Sequence, residues 1–128
     1  MKKILFVCVE NSNRSQMAEA FAKIHGKGKI EAYSSGSKPS GKINPKAIAA
    51  MKEMGYDLST HASKSLEEIP KIKYDYAITM GCGDECPNIV AEHRADWKLD
   101  DPKNLETVEF NKVRDEIERR VKLLIEKL

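Results

Sequence analysis

The sequence predicts an α/β fold in a single domain, residues 1–128: a four-stranded parallel sheet with helices on both faces, a three-layer sandwich. Two patterns predict it. Apolar segments of strand length alternate with amphipathic segments of helix length, and no linker, repeat or low-complexity stretch interrupts them. The chain of 128 residues is long enough for one core, and 41% hydrophobic with 33% charged residues is ordinary for a globular protein.

The first half of the chain holds two predicted strands and two predicted helices: strand 4–9, helix 14–25, strand 30–35 and helix 44–55. Ile4–Val9 reads ILFVCV, a continuous apolar run typical of a strand buried on both faces of a parallel sheet. Asn44 and Pro45 form a helix start, a cap followed by a first-turn proline. Gly26 and Gly55 end the two helices.

The second half continues the alternation: a short helix begun by a Ser65-x-x-Glu68 capping box and closed by Pro70, a strand at 74–80, a weaker strand at about 94–99 and a final helix over 107–128. In open parallel sheets ligands bind beyond the carboxyl ends of the strands. Cys8 closes the first strand and Cys82 follows the third, so we expect a functional site that holds both.

Charge and cysteine content exclude several classes of protein. The net charge of +2 does not indicate a nucleic-acid partner, and no segment is apolar enough for a membrane span or a secretory signal. We therefore expect a cytoplasmic protein without nucleic-acid or membrane partners. Residues 1–64 hold 11 basic and 5 acidic side chains, which places any anion site there. Three cysteines suit redox chemistry better than a disulfide scaffold or a structural metal site.

The segment after the first strand combines a nucleophile with an oxyanion cradle. The residues expected to bind the anion are Val9, Glu10, Asn11, Ser12, Asn13, Arg14 and Ser15. The backbone amides of such a loop and the start of the next helix can form an anion nest, and Arg14 adds a planar fork of donors. The positive surroundings favour the thiolate of Cys8, to which Ser15 can donate, while Asn11 braces the loop. The alternative is that Cys8 is a small core residue and Arg14 a surface residue.

Several motifs together resemble one family, and they cover essentially the whole chain: Cys8-x5-Arg14-Ser15, Tyr33-Ser34-Ser35-Gly36, Asn44-Pro45-Lys46-Ala47, the cysteine pair near residue 82, and Asp100-Asp101-Pro102. This order resembles the low-molecular-weight protein tyrosine phosphatase superfamily, and more closely its thioredoxin-coupled arsenate reductases. The resemblance implies a flavodoxin-like sheet with strand order 2-1-3-4.

Phosphate and arsenate share shape and charge, so the cysteines must separate a phosphatase from a reductase. Reduction of arsenate needs two thiols that end in one disulfide, and a third thiol passes that disulfide on. We expect Cys8 to attack arsenate, Cys82 to attack Cys8, and Cys86 to attack Cys82, after which a thioredoxin or similar dithiol reduces the protein. Arg14 would hold the oxyanion, and the resemblance assigns the proton donor to Asp101. Phosphate and sulfate would compete with arsenate, and no cofactor is expected.

The sequence departs from the family in two places. Only three residues separate Cys82 from Cys86, so the order in which these two thiols act is open. Some relatives bind potassium beside the loop; the matching residues here are Asn11, Glu19 and Ser34, but the position of a ligating aspartate holds Lys64. We expect the Lys64 ammonium to take the place of the cation, and we predict no metal site.

Two other functions stay open from sequence. A phosphatase would use the same Cys8, Arg14 and Asp101 and leave the other thiols unused. A thiol-metal or arsenite sensor could use the three cysteines with His93, although the matching second pair of a structural zinc site is missing. His25 and His61 are expected to be surface or capping residues, and Trp97 to be a core or edge anchor.

Overall fold

Four parallel strands form one sheet in the order β2-β1-β3-β4, the predicted order. The computed structural model describes residues 1–81 and 89–128. The strands are β1 (Lys2–Cys8), β2 (Ile30–Gly36), β3 (Tyr74–Thr79) and β4 (Ala91–Asp96). β1 lies in the middle of the sheet because Ile4–Val7 is apolar at every position and is fully buried. The sequence prediction of an α/β fold with a parallel sheet is therefore confirmed.

The three α-helices of the described part of the chain pack on one face of the sheet: α1 (Arg14–His25), α2 (Pro45–Lys52) and α3 (Thr107–Glu126). Ile4 and Phe6 point into this core, where they meet Phe21 of α1 and Ile117 of α3. The opposite face carries a smaller cluster built from Leu5, Val7, Ile69, Tyr74, Ala77 and Ile89. Among the described residues a 3₁₀ turn at Leu66, rather than an α-helix, packs on this face, so the prediction of helices on both faces holds there only for this short turn. α2 begins as predicted, since the Asn44 side chain accepts a hydrogen bond from the Lys46 amide (2.9 Å).

The fourth strand begins three residues earlier than the sequence predicted, at Ala91 rather than near Arg94. β4 is an exposed edge strand, so backbone pairing with β3 sets its bounds and apolar content does not. Trp97 lies just after the strand, and its ring packs against Phe6 with a centroid separation of 6.0 Å. Trp97 is thus the predicted anchor, at the end of the strand rather than inside it.

The predicted capping box at Ser65 and Glu68 is wrong. The segment forms a single 3₁₀ turn, Leu66–Glu68, and the Ser65 side chain makes no capping hydrogen bond. Ser65 instead pairs with Gly36 in an isolated parallel bridge at the edge of the sheet, which fixes its backbone in an extended form. Two further 3₁₀ turns, Leu58–Thr60 and Pro102–Asn104, lie in the connecting loops.

The carboxyl ends of β1 and β3 are neighbours, which places Cys8 close to Gly81 at the start of the loop predicted to carry the second thiol. Cys82 and Cys86 lie outside the described residues. Across residues 1–81 and 89–128, none of the helices is long and apolar enough to cross a membrane.

Candidate active site

The loop between β1 and α1, residues 9–13, is held from outside through its carbonyl oxygens. Four backbone amides of the following segment donate to them: Ser37 to Cys8 (3.3 Å), Lys38 to Val9 (2.8 Å), Ser40 to Glu10 (3.1 Å) and Asn44 to Ser12 (3.2 Å). In a trans peptide the C=O and N–H point in opposite directions, so outward carbonyls turn the loop amides inward. The loop is therefore built as a nest for an anion.

Gly36 lets the loop lie against the end of β2. A Cβ atom at this position would come within 2.5 Å of the Val9 carbonyl oxygen and 2.9 Å of the Asn11 amide nitrogen. No side chain fits in that space, so the close approach requires glycine.

Asn11 is the strained residue of the loop, with a left-handed φ of 50°. Its side chain is fixed on both sides. The oxygen Oδ1 accepts from the Lys64 amide (2.7 Å) and from Gln16 Nε2 (2.8 Å), and Nδ2 donates to Ser15 Oγ (2.8 Å). Asn11 therefore braces the loop, and these bonds hold its unusual backbone angle.

Cys8 ends β1 where the loop begins, and the residue is buried, 2% exposed. Ser15 Oγ lies 2.8 Å from Cys8 Sγ. Because Ser15 Oγ already accepts from Asn11, its own hydrogen is free to point at the sulfur. The Ser15 hydroxyl thus fixes the position of the Cys8 sulfur at the start of α1.

Arg14 opens α1, and contacts beyond the helix hold its buried guanidinium. Nη1 donates to the Leu99 carbonyl oxygen (3.1 Å), and Nη2 lies 3.9 Å from Asp101 Oδ2. Nε is buried and has no hydrogen-bond partner among the described residues. The edge formed by Nε and Nη2 is the one that binds a tetrahedral oxyanion in bidentate fashion.

Asp101 is brought to the site by the turn that follows β4. Its Oδ1 accepts from the Lys103 amide (3.1 Å), and the Lys103 ammonium reaches Glu10 Oε1 in the loop (3.1 Å). The Asp101 carboxylate is half exposed, so it can exchange a proton with solvent and with a group held by Arg14. Arg14 and Asp101 thus lie beside each other next to the loop that follows Cys8.

Behind the loop lies a buried polar network centred on Gln16. Gln16 Nε2 donates to the carbonyl oxygens of Asn11 (3.1 Å) and Ala62 (2.9 Å). Its Oε1 accepts from His61 Nδ1 (2.8 Å), so the other ring nitrogen accepts from the Tyr56 hydroxyl (2.6 Å). Burial lowers the pKa of His61 and outweighs the opposing Glu19 carboxylate, in agreement with a neutral ring.

Comparison with known proteins now decides the family. The model of the family described as low molecular weight phosphotyrosine protein phosphatase matches residues 3–128. The chain belongs to this family.

Three relatives of the same fold are arsenate reductases. A protein of Synechocystis sp. named glutaredoxin arsenate reductase is 43% identical over 131 residues, and the match covers all of this chain and 99% of the relative. A solved arsenate reductase in the phosphate binding state is 43% identical, with a TM-score of 0.91 and coverage of 99% and 98%. A thioredoxin-dependent arsenate reductase of Corynebacterium glutamicum is 31% identical (TM-score 0.80), and the match covers 99% of this chain and 61% of that chain.

The lysine that lies beside Glu19 is not the predicted one. Lys64 Nζ donates to the Ala62 carbonyl oxygen (2.9 Å). It is Lys23 that meets Glu19, at 2.7 Å, while Ser34 donates to the other oxygen of that carboxylate (2.5 Å). Burial alone would raise the pKa of Glu19, yet the bonds from Lys23 and Ser34 hold it below the usual value.

Sequence reasoning missed part of this family site. His61 caps the 3₁₀ turn Leu58–Thr60 through its backbone amide, as the capping alternative predicted, but its side chain is only 4% exposed and joins the buried network, which was not predicted. A lone histidine in a loop carries no spacing that could have placed it there. Gly36 did belong to a quoted motif, but only the structure shows the contact that requires glycine.

Proposed function

We propose that this chain reduces arsenate to arsenite, with Cys8 as the nucleophile. The observation that carries the proposal is the geometry of one loop and the helix that follows it: a buried cysteine faced by the Ser15 hydroxyl, and an Arg14 Nε that is buried with no hydrogen-bond partner among the described residues. The names of the three relatives support arsenate as the substrate. Phosphate and sulfate have the same tetrahedral shape and would compete.

In the first step the inward amides of residues 9–13 and Arg14 hold the arsenate dianion. The Cys8 thiolate attacks arsenic, a sulfur–arsenic bond forms, and one arsenate oxygen leaves as water. Asp101 supplies a proton to the departing oxygen. Its contact with Arg14 places the carboxylate beside the bound oxyanion.

In the second step, as we propose it, the Cys82 thiolate attacks Cys8 Sγ. A disulfide forms, and the electron pair of the sulfur–arsenic bond stays with arsenic, which leaves as arsenite. Cys86 then attacks Cys82, which frees the Cys8 thiolate and moves the disulfide to positions 82 and 86. The support for these roles is the sequence alone, since Cys82 and Cys86 lie outside the described residues.

The reductant that restores the thiols is, in this proposal, a thioredoxin-type dithiol protein. Its two electrons reduce the 82–86 disulfide by thiol–disulfide exchange. The reducing cytoplasm is the compartment that fits such chemistry. The names of the relatives point to two reductants, glutaredoxin in one and thioredoxin in another, so turnover should be compared with each reductant system.

One experiment tests the relay. Fully reduced protein is mixed with arsenate without any reductant, and free thiols and arsenite are measured. The relay predicts a fall from three thiols to one, with one arsenite released per chain. The variant Cys86→Ser should stop at a Cys8–Cys82 disulfide, detected by peptide mapping, and Cys8→Ser should release no arsenite. Three thiols retained in the wild-type protein would contradict the proposal.

The second candidate is a phosphatase that hydrolyses phosphate monoesters through a phosphocysteine. The family match favours it, and Cys8, Arg14 and Asp101 suffice for its chemistry. Hydrolysis of p-nitrophenyl phosphate with all three thiols retained, together with no arsenite release, would establish this activity instead.

A further inference from the structure

Arg14 can serve an oxyanion only if its guanidinium keeps one orientation. The Nη1 end is fixed by the Leu99 carbonyl oxygen at 3.1 Å, which leaves the Nε and Nη2 edge to face the nest. The side chain is 7% exposed, so it has little room to turn. Any group that moves Nη1 therefore moves the whole fork.

Gly81 lies directly against this fixed end of the guanidinium. A Cβ atom at residue 81 would come within 2.7 Å of Arg14 Nη1 and 3.3 Å of the Leu99 carbonyl oxygen. Arg14 is flexible enough to yield to such an atom, but yielding would break the Leu99 bond and displace the fork. The cost of a side chain here would fall on oxyanion binding more than on folding.

The backbone of Gly81 is itself held in place, so it cannot retreat from Arg14. Its amide donates to Asp96 Oδ1 (3.3 Å), and the same oxygen accepts from the Thr79 hydroxyl (2.7 Å). Asp96 ends β4 and Thr79 ends β3, so the sheet fixes the position of residue 81. The φ of Gly81 is +84°, which also favours glycine.

We infer that Gly81 is a positioning residue for Arg14: its missing side chain forms one wall of the slot that aims the guanidinium at the bound oxyanion. This inference rests on the proposed oxyanion site. Residue 81 also precedes Cys82 in the chain, so the loop with the second proposed thiol begins in contact with the arginine that holds the substrate. No chemical group of Gly81 reacts.

A matched control variant separates the effect of a contact with Arg14 from the effect of the positive φ. Gly28 has nearly the same φ, +83°, and no atom lies within 4 Å of its hypothetical Cβ. Gly81→Ala and Gly28→Ala therefore introduce the same backbone strain, but only the first introduces the contact with Arg14. Inorganic phosphate is titrated into each protein by calorimetry, and urea unfolding reports stability.

We expect Gly81→Ala to bind phosphate at least about 10-fold more weakly than the wild-type protein, the effect of one lost charged hydrogen bond, and Gly28→Ala to stay within about twofold. For arsenate the loss should appear in kcat/KM. Equal phosphate affinity in Gly81→Ala and wild type would overturn the inference. If the wild-type protein bound no phosphate, the proposed oxyanion site itself would fail.

If Gly81→Ala does not fold, the same substitution is made in the Arg14→Ala variant. Truncation in Arg14→Ala empties the place that the new methyl group needs, so the double variant should fold about as well as Arg14→Ala with Gly28→Ala. Gly81→Ala should also cause no further loss of phosphate affinity once Arg14 is truncated. A double variant that stays unfolded, or a further loss of affinity, would show that Gly81 acts through something other than Arg14.

Discussion

Gln16 is the buried side chain on which the shape of the anion loop most depends, and replacing it gives a sharp test. The variant Gln16→Met keeps the length and approximate volume of the side chain but removes its amide. Gln16 is fully buried, so no water can replace the lost groups without rearrangement. The prediction is a large loss of stability together with weaker oxyanion binding.

The magnitude follows from counting which partners would be left without a hydrogen bond. Asn11 Oδ1 and the Ala62 carbonyl oxygen keep a second donor, since Lys64 bonds to both through its amide and its ammonium. The Asn11 carbonyl oxygen and His61 Nδ1 have Gln16 as their only hydrogen-bond partner among the described residues. An unsatisfied buried polar group costs about 1–3 kcal/mol, so we expect a loss of about 2–6 kcal/mol. The free energy of unfolding of a domain this size is about 5–15 kcal/mol.

Urea unfolding measures the free energy, and phosphate titration measures the affinity of the loop. Tyr74→Phe is a suitable control because it removes only the hydrogen bond from the Tyr74 hydroxyl to the Pro70 carbonyl oxygen, away from the loop, at a cost of about 1 kcal/mol. It should lower stability without changing phosphate affinity. A loss below 1 kcal/mol in Gln16→Met, or unchanged phosphate affinity in that variant, would refute the argument that Gln16 holds the loop.

Two further predictions concern the buried charges behind the loop. Burial lowers the pKa of His61 in the folded protein, so as the pH falls below 6.5 the unfolded chain binds this proton before the folded protein does. The free energy of unfolding should therefore fall with decreasing pH, by up to about 1.4 kcal/mol per pH unit, until the pKa of the folded state is reached. His61→Gln should flatten this fall in urea unfolding between pH 7 and 5, and a slope as steep as that of the wild-type protein would assign it to another group. Because the Lys23 ammonium neutralises Glu19, exchanging sodium for potassium chloride should leave the melting temperature of the wild-type protein unchanged, whereas Lys23→Met should gain stability in potassium. A potassium-specific rise in the wild-type protein would show that the lysine does not replace the cation.

The sequence was sufficient for the order of elements because local patterns determine them. Ile4–Val9 is apolar throughout, and so short an apolar run favours a buried strand over a helix, which β1 (Lys2–Cys8) confirms. β4 could not be placed as well, because an exposed edge strand is defined by hydrogen bonds to β3 rather than by its own composition. The Ser65 box failed for a related reason: a bridge to Gly36, 29 positions away, overrides the local capping signal.

The candidate site also has one part that the sequence predicts and one part that it does not. Cys8, Arg14 and Ser15 are close in sequence, and their spacing places them together on a strand end and a helix start. Gln16, His61 and Tyr56 meet only through tertiary packing, which a single sequence does not display. The prediction that Lys64 lies beside Glu19 was wrong for the same reason. Lys23, one helical turn after Glu19 on α1, contacts the carboxylate, and the Lys64 ammonium bonds to the Ala62 carbonyl oxygen instead.

Arsenate and phosphate share shape and charge, so in the proposed relay reduction depends on how the Cys82 thiol reaches Cys8. The loop carbonyls are tied to the segment 37–44, which keeps the nest rigid while the chemistry proceeds. Arg14, in contrast, touches the regions expected to supply the acid and the second thiol: Asp101 lies near Nη2, and Leu99 and Gly81 lie at Nη1. An oxyanion that fixes Arg14 therefore also fixes the start of the thiol loop. Coupling of this kind would favour attack of Cys82 on Cys8 while arsenic is still bound to the Cys8 sulfur. Arsenic can then accept the electron pair of the sulfur–arsenic bond.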